Sequence, residues 1–234
     1  MVVITILTPA AYIFLLIGGE KMADSVLQFC YGYVARFFLF MWGIQCRVKN
    51  PEMAPSHGPV VFIANHRAQL DIVAGASALP LPARFLGKAE LLSIPFFGLF
   101  IRMLAIPVRR QDKSSREQSM EEMKKVLLSK GSVFIYPEGT RNRNAEEEPL
   151  KPFKDGAFRV AIETKSPIMV QVLQYTDSIN NPNFLHLIPG KVTLEWLGPY
   201  ASENIRPEDL QEWKEGIRQD ILHCLRAKND IPSR

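Results

Sequence analysis

Pro59-Val60-Val61-Phe62-Ile63-Ala64-Asn65-His66-Arg67-Ala68-Gln69-Leu70-Asp71 reads as a buried strand running straight into a polar cluster. Its first six residues form a short continuous apolar run, the pattern of a strand covered on both faces. Polar residues follow at once, and α/β sheets present their sites where strands end in loops. The same signals recur on the C-terminal side. Arg84-Phe85-Leu86-Gly87 and Ala105-Ile106-Pro107-Val108 read as further short strands, Pro107 marking an edge or an irregular end. Ser115-Arg116-Glu117-Gln118 fits a capping box that opens a helix through Met120, Met123, Val126 and Leu127 to Gly131. Ser132-Val133-Phe134-Ile135-Tyr136 is a strand leading into Pro137-Glu138-Gly139. A helix around Ala157–Thr164, a strand at Ile168–Leu173 and an alternating, half-exposed strand at Val192–Leu197 follow. Pro207-Glu208-Asp209 then opens an amphipathic helix whose stripe (Leu210, Trp213, Ile217, Ile221, Leu225) is core packing. This alternation predicts an α/β fold, a mixed and largely parallel sheet flanked by helices.

On the N-terminal side the character changes. The chain has 234 residues, 47% hydrophobic and 22% charged, with a formal net charge of +4. That length fits one domain, that hydrophobicity excludes a disordered chain, and the modest charge argues against a dedicated nucleic-acid binder. Residues 1–45 nevertheless hold only four charges, Glu20, Lys21, Asp24 and Arg36. Val2–Ile17 is apolar apart from Thr5, Thr8 and Pro9; as a helix it would reach about 24 Å, short of a hydrocarbon core of roughly 30 Å. A second run, Val26–Ile44, is rich in aromatics but carries Gln28 and Arg36, and Gly18-Gly19-Glu20-Lys21 between the two reads as a turn. No basic region precedes the first run, which argues against a cleaved signal peptide. Two helices joined by that turn fit a shallow hairpin in one leaflet, with a snorkelling Arg36; a spanning second helix, or both helices packed on the body as core, are the alternatives. Arg47 and Lys49 put the body on the cytoplasmic face of the inner or plasma membrane. The expected division is a membrane-associating two-helix segment, 1–45, and a catalytic-type domain, 46–234. Three cysteines, Cys30, Cys46 and Cys224, without Cys-x-x-Cys or His-x-x-x-His spacing, read as free thiols and not as a metal site.

Three polar clusters fall at strand ends. His66 and Asp71 lie five residues apart, about 140° on one continuous helix, so they meet only if His66 sits in the turn and Asp71 in the first helical turn. A carboxylate there would fix the imidazole tautomer and leave the other ring nitrogen as a base. The second cluster is Tyr136-Pro137-Glu138-Gly139-Thr140-Arg141: Gly139 permits close backbone approach, Arg141 offers a fork for phosphate, and Glu138 would pair with that Arg or accept a hydroxyl. The third is basic, comprising Lys88, Arg109, Arg110 and Lys154, which could clamp an anion if they converge. Each cluster alone also fits an ordinary helix cap, β-turn or solvated face.

In order and spacing, Asn65-His66-x-x-x-x-Asp71, Gly87-Lys88-Ala89-Glu90-Leu91 with Ile94-Pro95-x-x-Gly98, Glu138-Gly139-Thr140-Arg141, and Pro152-Phe153-Lys154-x-Gly156-Ala157 with Pro167-Ile168 resemble the glycerolipid acyltransferases. More narrowly, they resemble the 1-acyl-sn-glycerol-3-phosphate acyltransferases. The likeness runs from about Arg47 to Ile179. It departs at Ala68, where the family usually has Ser, at Val170, where it usually has Pro, and in Leu104–Arg110, which keeps only Ile106 and Arg110 of the second motif.

The resemblance implies acyl transfer from a thioester, acyl-CoA or acyl-carrier protein, to the sn-2 hydroxyl of 1-acylglycerol-3-phosphate. It implies a glycerolipid acyltransferase-like fold, His66 as general base supported by Asp71, and phosphate held by Arg141, Arg110 and Lys88. Glu138, Gly139 and Thr140 complete the substrate site. It implies no bound cofactor, no metal and no nucleic acid, with lysophosphatidic acid and the membrane surface as partners. Residues 94–100 then either line an acyl groove or form a core helix. A different acceptor, such as a lyso-aminolipid or glycerol 3-phosphate, and a non-catalytic lipid-binding module are the alternatives.

Overall fold

The computed structural model describes residues 24–94, 105–179 and 187–227, with the single positions 98 and 102. The first apolar run and its following turn, Val2–Lys21, lie outside these residues, as does most of 94–100. A helix over 24–41 (α1), with a π-helical turn at Cys30–Ala35, leads into β1, Ile44–Lys49. There follow β2 (Val61–Ala64), α2 (Leu70–Ser77), β3 (Ala83–Lys88) and β4 (Ala105–Val108). Then come α3 (Lys113–Leu128), β5 (Ser132–Ile135), α4 (Gly156–Thr164) and β6 (Ile168–Gln174). A four-residue helix α5 (Thr176–Ile179), β7 (Gly190–Tyr200) and α6 (Leu210–Arg226) are the last elements of the described residues.

The seven strands form one sheet in the order β1-β7-β6-β2-β5-β3-β4. Every neighbouring pair is parallel except β6 with β7, which is antiparallel. The mixed, mostly parallel sheet flanked by helices is therefore as the apolar runs predict. Pro107 falls on the edge strand β4, where one missing donor disrupts no inner ladder. Because β2, β5, β3 and β4 run the same way, the residues after each of them share one edge of the sheet.

Alternate residues of the central strands feed two cores. Phe62, Ala64, Phe134 and Met169 face α1 and α2, whereas Val61, Ile63, Val133, Ile135 and Val170 face α3, α4 and α6. On the first face Phe62, Phe85 and Phe134 stack across β2, β5 and β3, with Trp196 against Phe62 and Tyr31 against Phe85. On the second, the α6 residues Leu210, Ile217, Ile221 and Leu225 are buried as the stripe requires.

Three local expectations differ. The second apolar run ends its helix at Met41, and Ile44 starts β1, a strand the aromatic density of the run conceals. The helix expected to open at Ser115 opens at Lys113, because Asp112 accepts the Ser114 N–H at 2.9 Å; the Ser115 hydroxyl instead accepts the Arg109 N–H. Arg36 does not reach outward from α1: its Nε donates to the Ser77 carbonyl at the C-terminus of α2. Helix α1 buries Leu27, Tyr31, Ala35 and Leu39 on the body and exposes Phe29, Tyr33, Phe37, Phe40 and Met41 on its other side. Among the described residues no helix is long and apolar enough to cross a membrane.

Candidate active site

Strand β2 ends at Ala64, and the next residue locks the strand end in place. The Asn65 side-chain amide behaves like one more peptide of the ladder, donating to the Leu173 carbonyl and accepting the Leu173 N–H, both at 2.8 Å. His66 then turns away from the strand, and Asp71, the second residue of α2, faces back towards it. His66 Nδ1 and Asp71 Oδ2 are 2.8 Å apart, with Asp71 fully buried and His66 8% exposed. The same Oδ2 accepts the backbone N–H groups of Arg67 at 2.6 Å and Ala68 at 2.8 Å. One carboxylate thus folds the turn and aims the ring. With Nδ1–H donated to Asp71, Nε2 carries the lone pair. Ala68 contributes its backbone alone, which any residue at that position can do.

The backbone of His66 is held from the other side by the chain that follows β5. His66 N–H donates to Glu138 Oε1 at 2.6 Å, and the His66 carbonyl accepts the Asn142 N–H at 2.6 Å. Glu138 Oε2 accepts the Lys151 N–H at 3.0 Å, so both carboxylate oxygens are bound to backbone and neither pairs with Arg141, contrary to the simplest reading of the motif. Glu138 is 3% exposed. Burial pushes its carboxyl up to about 7, against the pull of the two N–H groups, which favour the charged form. The Tyr136 ring stacks on the imidazole with centroids 4.2 Å apart, and burial raises its hydroxyl well above the ordinary tyrosine range.

Gly139 closes the turn, its N–H donating to the Tyr136 carbonyl at 3.0 Å. Its φ of +72° is a conformation that glycine adopts without strain. The Lys154 N–H donates to the Pro137 carbonyl at 2.8 Å, which sets Lys154 beside that turn. Here a cavity of about 630 Å³ opens between α3, α4 and the ends of β4 and β5. Leu86, Val108, Met120, Met123, Ile135 and Ala157 give it an apolar lining, and Arg110, Lys113, Arg116, Lys154 and Arg159 give it cations. Two of its carboxylates already have partners, Asp155 with Lys214 at 2.7 Å and Glu117 with Lys113 at 3.9 Å.

Of the residues singled out in the sequence, the cavity gathers Arg110, Glu138, Gly139, Thr140 and Lys154. His66 and Asp71 adjoin it through Glu138 and do not line it. Lys88 is exposed at the end of β3, and Arg141 lies past the turn, where its carbonyl accepts from Lys151 Nζ at 3.3 Å. Sequence reasoning overlooked Asn142, whose buried side chain donates to the Glu148 carbonyl, and the cations of α3 and α4. Asn142 carries no signal in one sequence. Arg116 and Arg159 are visible only as charges on amphipathic helices.

A family model described as Acyltransferase matches residues 45–173. The chain is 28% identical over 222 residues to a 1-acyl-sn-glycerol-3-phosphate acyltransferase of Saccharomyces cerevisiae, covering 93% of this chain and 71% of that one. It is 30% identical over 187 residues to the protein of that name from Escherichia coli, covering 79% of this chain and 71% of that one. In fold it resembles the crystal structure of the 1-acyl-sn-glycerophosphate (LPA) acyltransferase from Thermotoga maritima, with a TM-score of 0.79 at 19% identity, over 97% of this chain and 91% of that one. A His–Asp pair at a strand end, in a seven-stranded sheet of this order and beside a cation-rimmed apolar cavity, stands where the family model matches: the chain belongs to the acyltransferase family.

Proposed function

We propose that this protein transfers an acyl group from a thioester to the sn-2 hydroxyl of 1-acyl-sn-glycerol-3-phosphate, giving phosphatidic acid. The observation that carries this reading is the buried 2.8 Å contact of His66 Nδ1 with Asp71, which frees Nε2 as a base. In the ternary complex Nε2 removes the hydroxyl proton as the acceptor oxygen attacks the thioester carbonyl. The tetrahedral intermediate collapses, the C–S bond breaks, and the imidazolium returns its proton to the leaving thiolate. Asp71 stabilises the imidazolium between these steps. No Ser or Cys stands beside His66 in the motifs, so the transfer is direct and passes through no acyl-enzyme. The balance needs no cofactor; the donor, acyl-CoA or acyl-carrier protein, is a co-substrate.

A lysophospholipid is both greasy and anionic, and the cavity matches it in both respects. Arg110 and Lys154 at the mouth hold the phosphate, while Gly139 and Thr140 shape the turn against the glycerol. Glu138 keeps its carboxylate on the backbone and acts by holding the His66 loop to the cavity wall. Lys88 and Arg141, on the same sheet edge, draw the anion in. Glycerol 3-phosphate would leave the apolar lining unused, and an aminolipid headgroup would meet like charge.

The exposed aromatic side of α1, continuous in sequence with the apolar residues before it, supports docking on one leaflet. We assign residues 1–45 to that role, residues 46–234 to catalysis, and the body to the cytoplasmic face as a monotopic enzyme. The purified full chain, given labelled acyl-CoA or acyl-carrier protein and a panel of acceptors, should consume thioester only when lysophosphatidic acid is present. Equal consumption without acceptor, or with a lyso-aminolipid alone, would overturn the reading.

A further inference from the structure

Residues 148–151 belong to no helix or strand, yet the carbonyl of each is taken by a side chain from outside the segment. Asn142 Nδ2 donates to Glu148 and Arg67 Nη2 to Pro149, the latter at 3.2 Å. Arg218, from α6, spans the next two: Nη2 donates to Leu150 at 2.7 Å and Nε to Lys151 at 3.3 Å. The segment is a strap whose main-chain acceptors are satisfied by tertiary partners in place of a ladder. The residues that hold it also hold His66. Arg67 follows His66 in the chain, and Asn142 donates its N–H to the His66 carbonyl at 2.6 Å. Glu138 accepts the His66 N–H on one oxygen at 2.6 Å and the Lys151 N–H on the other at 3.0 Å.

We propose that Arg218 is a positioning residue for His66, acting through the Leu150–Lys151 peptide and Glu138 to fix the backbone that carries the imidazole. The role rests on the reading of His66 as the base. The Leu150 carbonyl that Arg218 caps and the Lys151 N–H that Glu138 accepts belong to one peptide group, which is a rigid plane. The relay therefore runs from guanidinium to peptide to carboxylate to the His66 N–H. A cation on the carbonyl also polarises that peptide and strengthens its N–H as a donor. Arginine suits the task, because its planar fork places two N–H groups on successive carbonyls and a lysine ammonium does not reproduce that fork. The third nitrogen, Nη1, is held by Glu215 on the same helix at 3.0 Å, which orients the fork. Without Arg218 two carbonyls lose their donors, the peptide can tilt, and Glu138 follows it. The base then drifts from its reacting position, a fault felt in turnover more than in lysolipid binding.

Arg218→Met keeps the aliphatic length of the side chain and removes its donors. In the full chain, assayed well below its melting temperature, kcat should fall about tenfold while KM for lysophosphatidic acid stays within a factor of about two. Amide exchange, followed by NMR without substrate, separates positioning from plain stabilisation. The His66 N–H should lose about tenfold more protection than the buried amides of β6, whereas a merely stabilising arginine would lower all of them together. Arg218→Lys should lose less in both measurements. In a Glu138→Ala background the relay is already cut, so Arg218→Met should lower kcat no further. An unchanged kcat, His66 protection lost only in step with β6, or effects of the two substitutions that simply multiply would overturn the relay. Should Arg218→Met misfold, Arg218→Lys carries the same comparison. Selective loss of His66 protection in a protein that transfers no acyl group would sink the proposed function and leave the relay standing. Acyl transfer with His66 exchange unaltered would sink the relay alone.

Discussion

The two sides of the sheet edge are built on opposite principles. Under α2, the groups that hold the His66 turn are committed: Asp71 Oδ2 accepts three N–H groups, Glu138 accepts two, and Asn65 is bonded on both of its amide atoms. Across the edge, the cavity between α3 and α4 gathers five cations, of which Lys113 pairs with the cavity's own Glu117 at 3.9 Å, while Asp155 is taken by Lys214 from outside it. Proton transfer needs reacting atoms held to within a few tenths of an ångström, and backbone hydrogen bonds from several elements provide that. Anion capture needs charge and accessible donors, which flexible Arg and Lys side chains provide without such constraint. Glu138 belongs to both sides, lining the cavity while gripping the His66 backbone.

If the committed side is the catalytic one, single changes there should cost most. His66→Ala should lower kcat by about 10²–10⁴ with little change in melting temperature, since the ring supplies the base. Asp71→Ala should lose comparable activity and also about 3 kcal/mol of stability, because three N–H groups lose their acceptor inside the fold. Kinetics paired with urea unfolding separates the two. An Asp71→Ala protein as stable as the parent would show that the carboxylate does not organise the turn.

The shared residue makes the next largest difference, and it depends on pH. Burial raises the folded Glu138 carboxyl to about 7 from an ordinary 4.5. A carboxyl raised on folding favours the protonated folded state, so its contribution is complete below about pH 4.5 and is lost as pH rises through about 7. The gap corresponds to about 3 kcal/mol. Glu138→Gln removes the titration. Urea midpoints of parent and variant, compared from about pH 5 to about pH 8, should therefore converge or cross as the parent loses this contribution. Parallel pH profiles would mean that the folded carboxyl ionises as it does in the unfolded chain.

The same contrast explains what was legible in the sequence. Continuous apolar runs and strand-end clusters are local patterns, so β2 to β6, the edge position of Pro107 and the meeting of His66 with Asp71 across a turn could all be read. What escaped depends on long-range partners. Ile44–Lys49 becomes a strand because β7, 146 residues later, offers it an edge. In sequence Arg36 reads as a lipid-facing charge and Glu138 as a partner of Arg141 or of a hydroxyl, because their backbone partners, Ser77, His66 and Lys151, lie in other elements. The cavity was missed for a related reason. Arg110 and Lys154 stand in the basic cluster read from the sequence, but Lys113, Arg116 and Arg159 stand on two helices that meet only after folding, and in sequence they look like solvated faces.

On the uncommitted side the effects should be smaller and should appear in binding. Arg110→Ala and Lys154→Ala each remove one cation from the mouth of the cavity while leaving the His66 hydrogen bonds intact. Each should raise KM for the lysolipid about tenfold, or about 1.4 kcal/mol, with kcat within a factor of about two. Both side chains are exposed, so the effect should shrink with salt as the Debye length falls below about 8 Å. Lys88→Ala and Arg141→Ala test whether capture is local to the cavity, because neither residue lines it; their KM changes should be smaller. A larger change at Lys88 or Arg141 than at Arg110 would move the phosphate out of the cavity and along the sheet edge. A fall in kcat at Arg110 would break the contrast differently, by making a binding cation part of transition-state stabilisation.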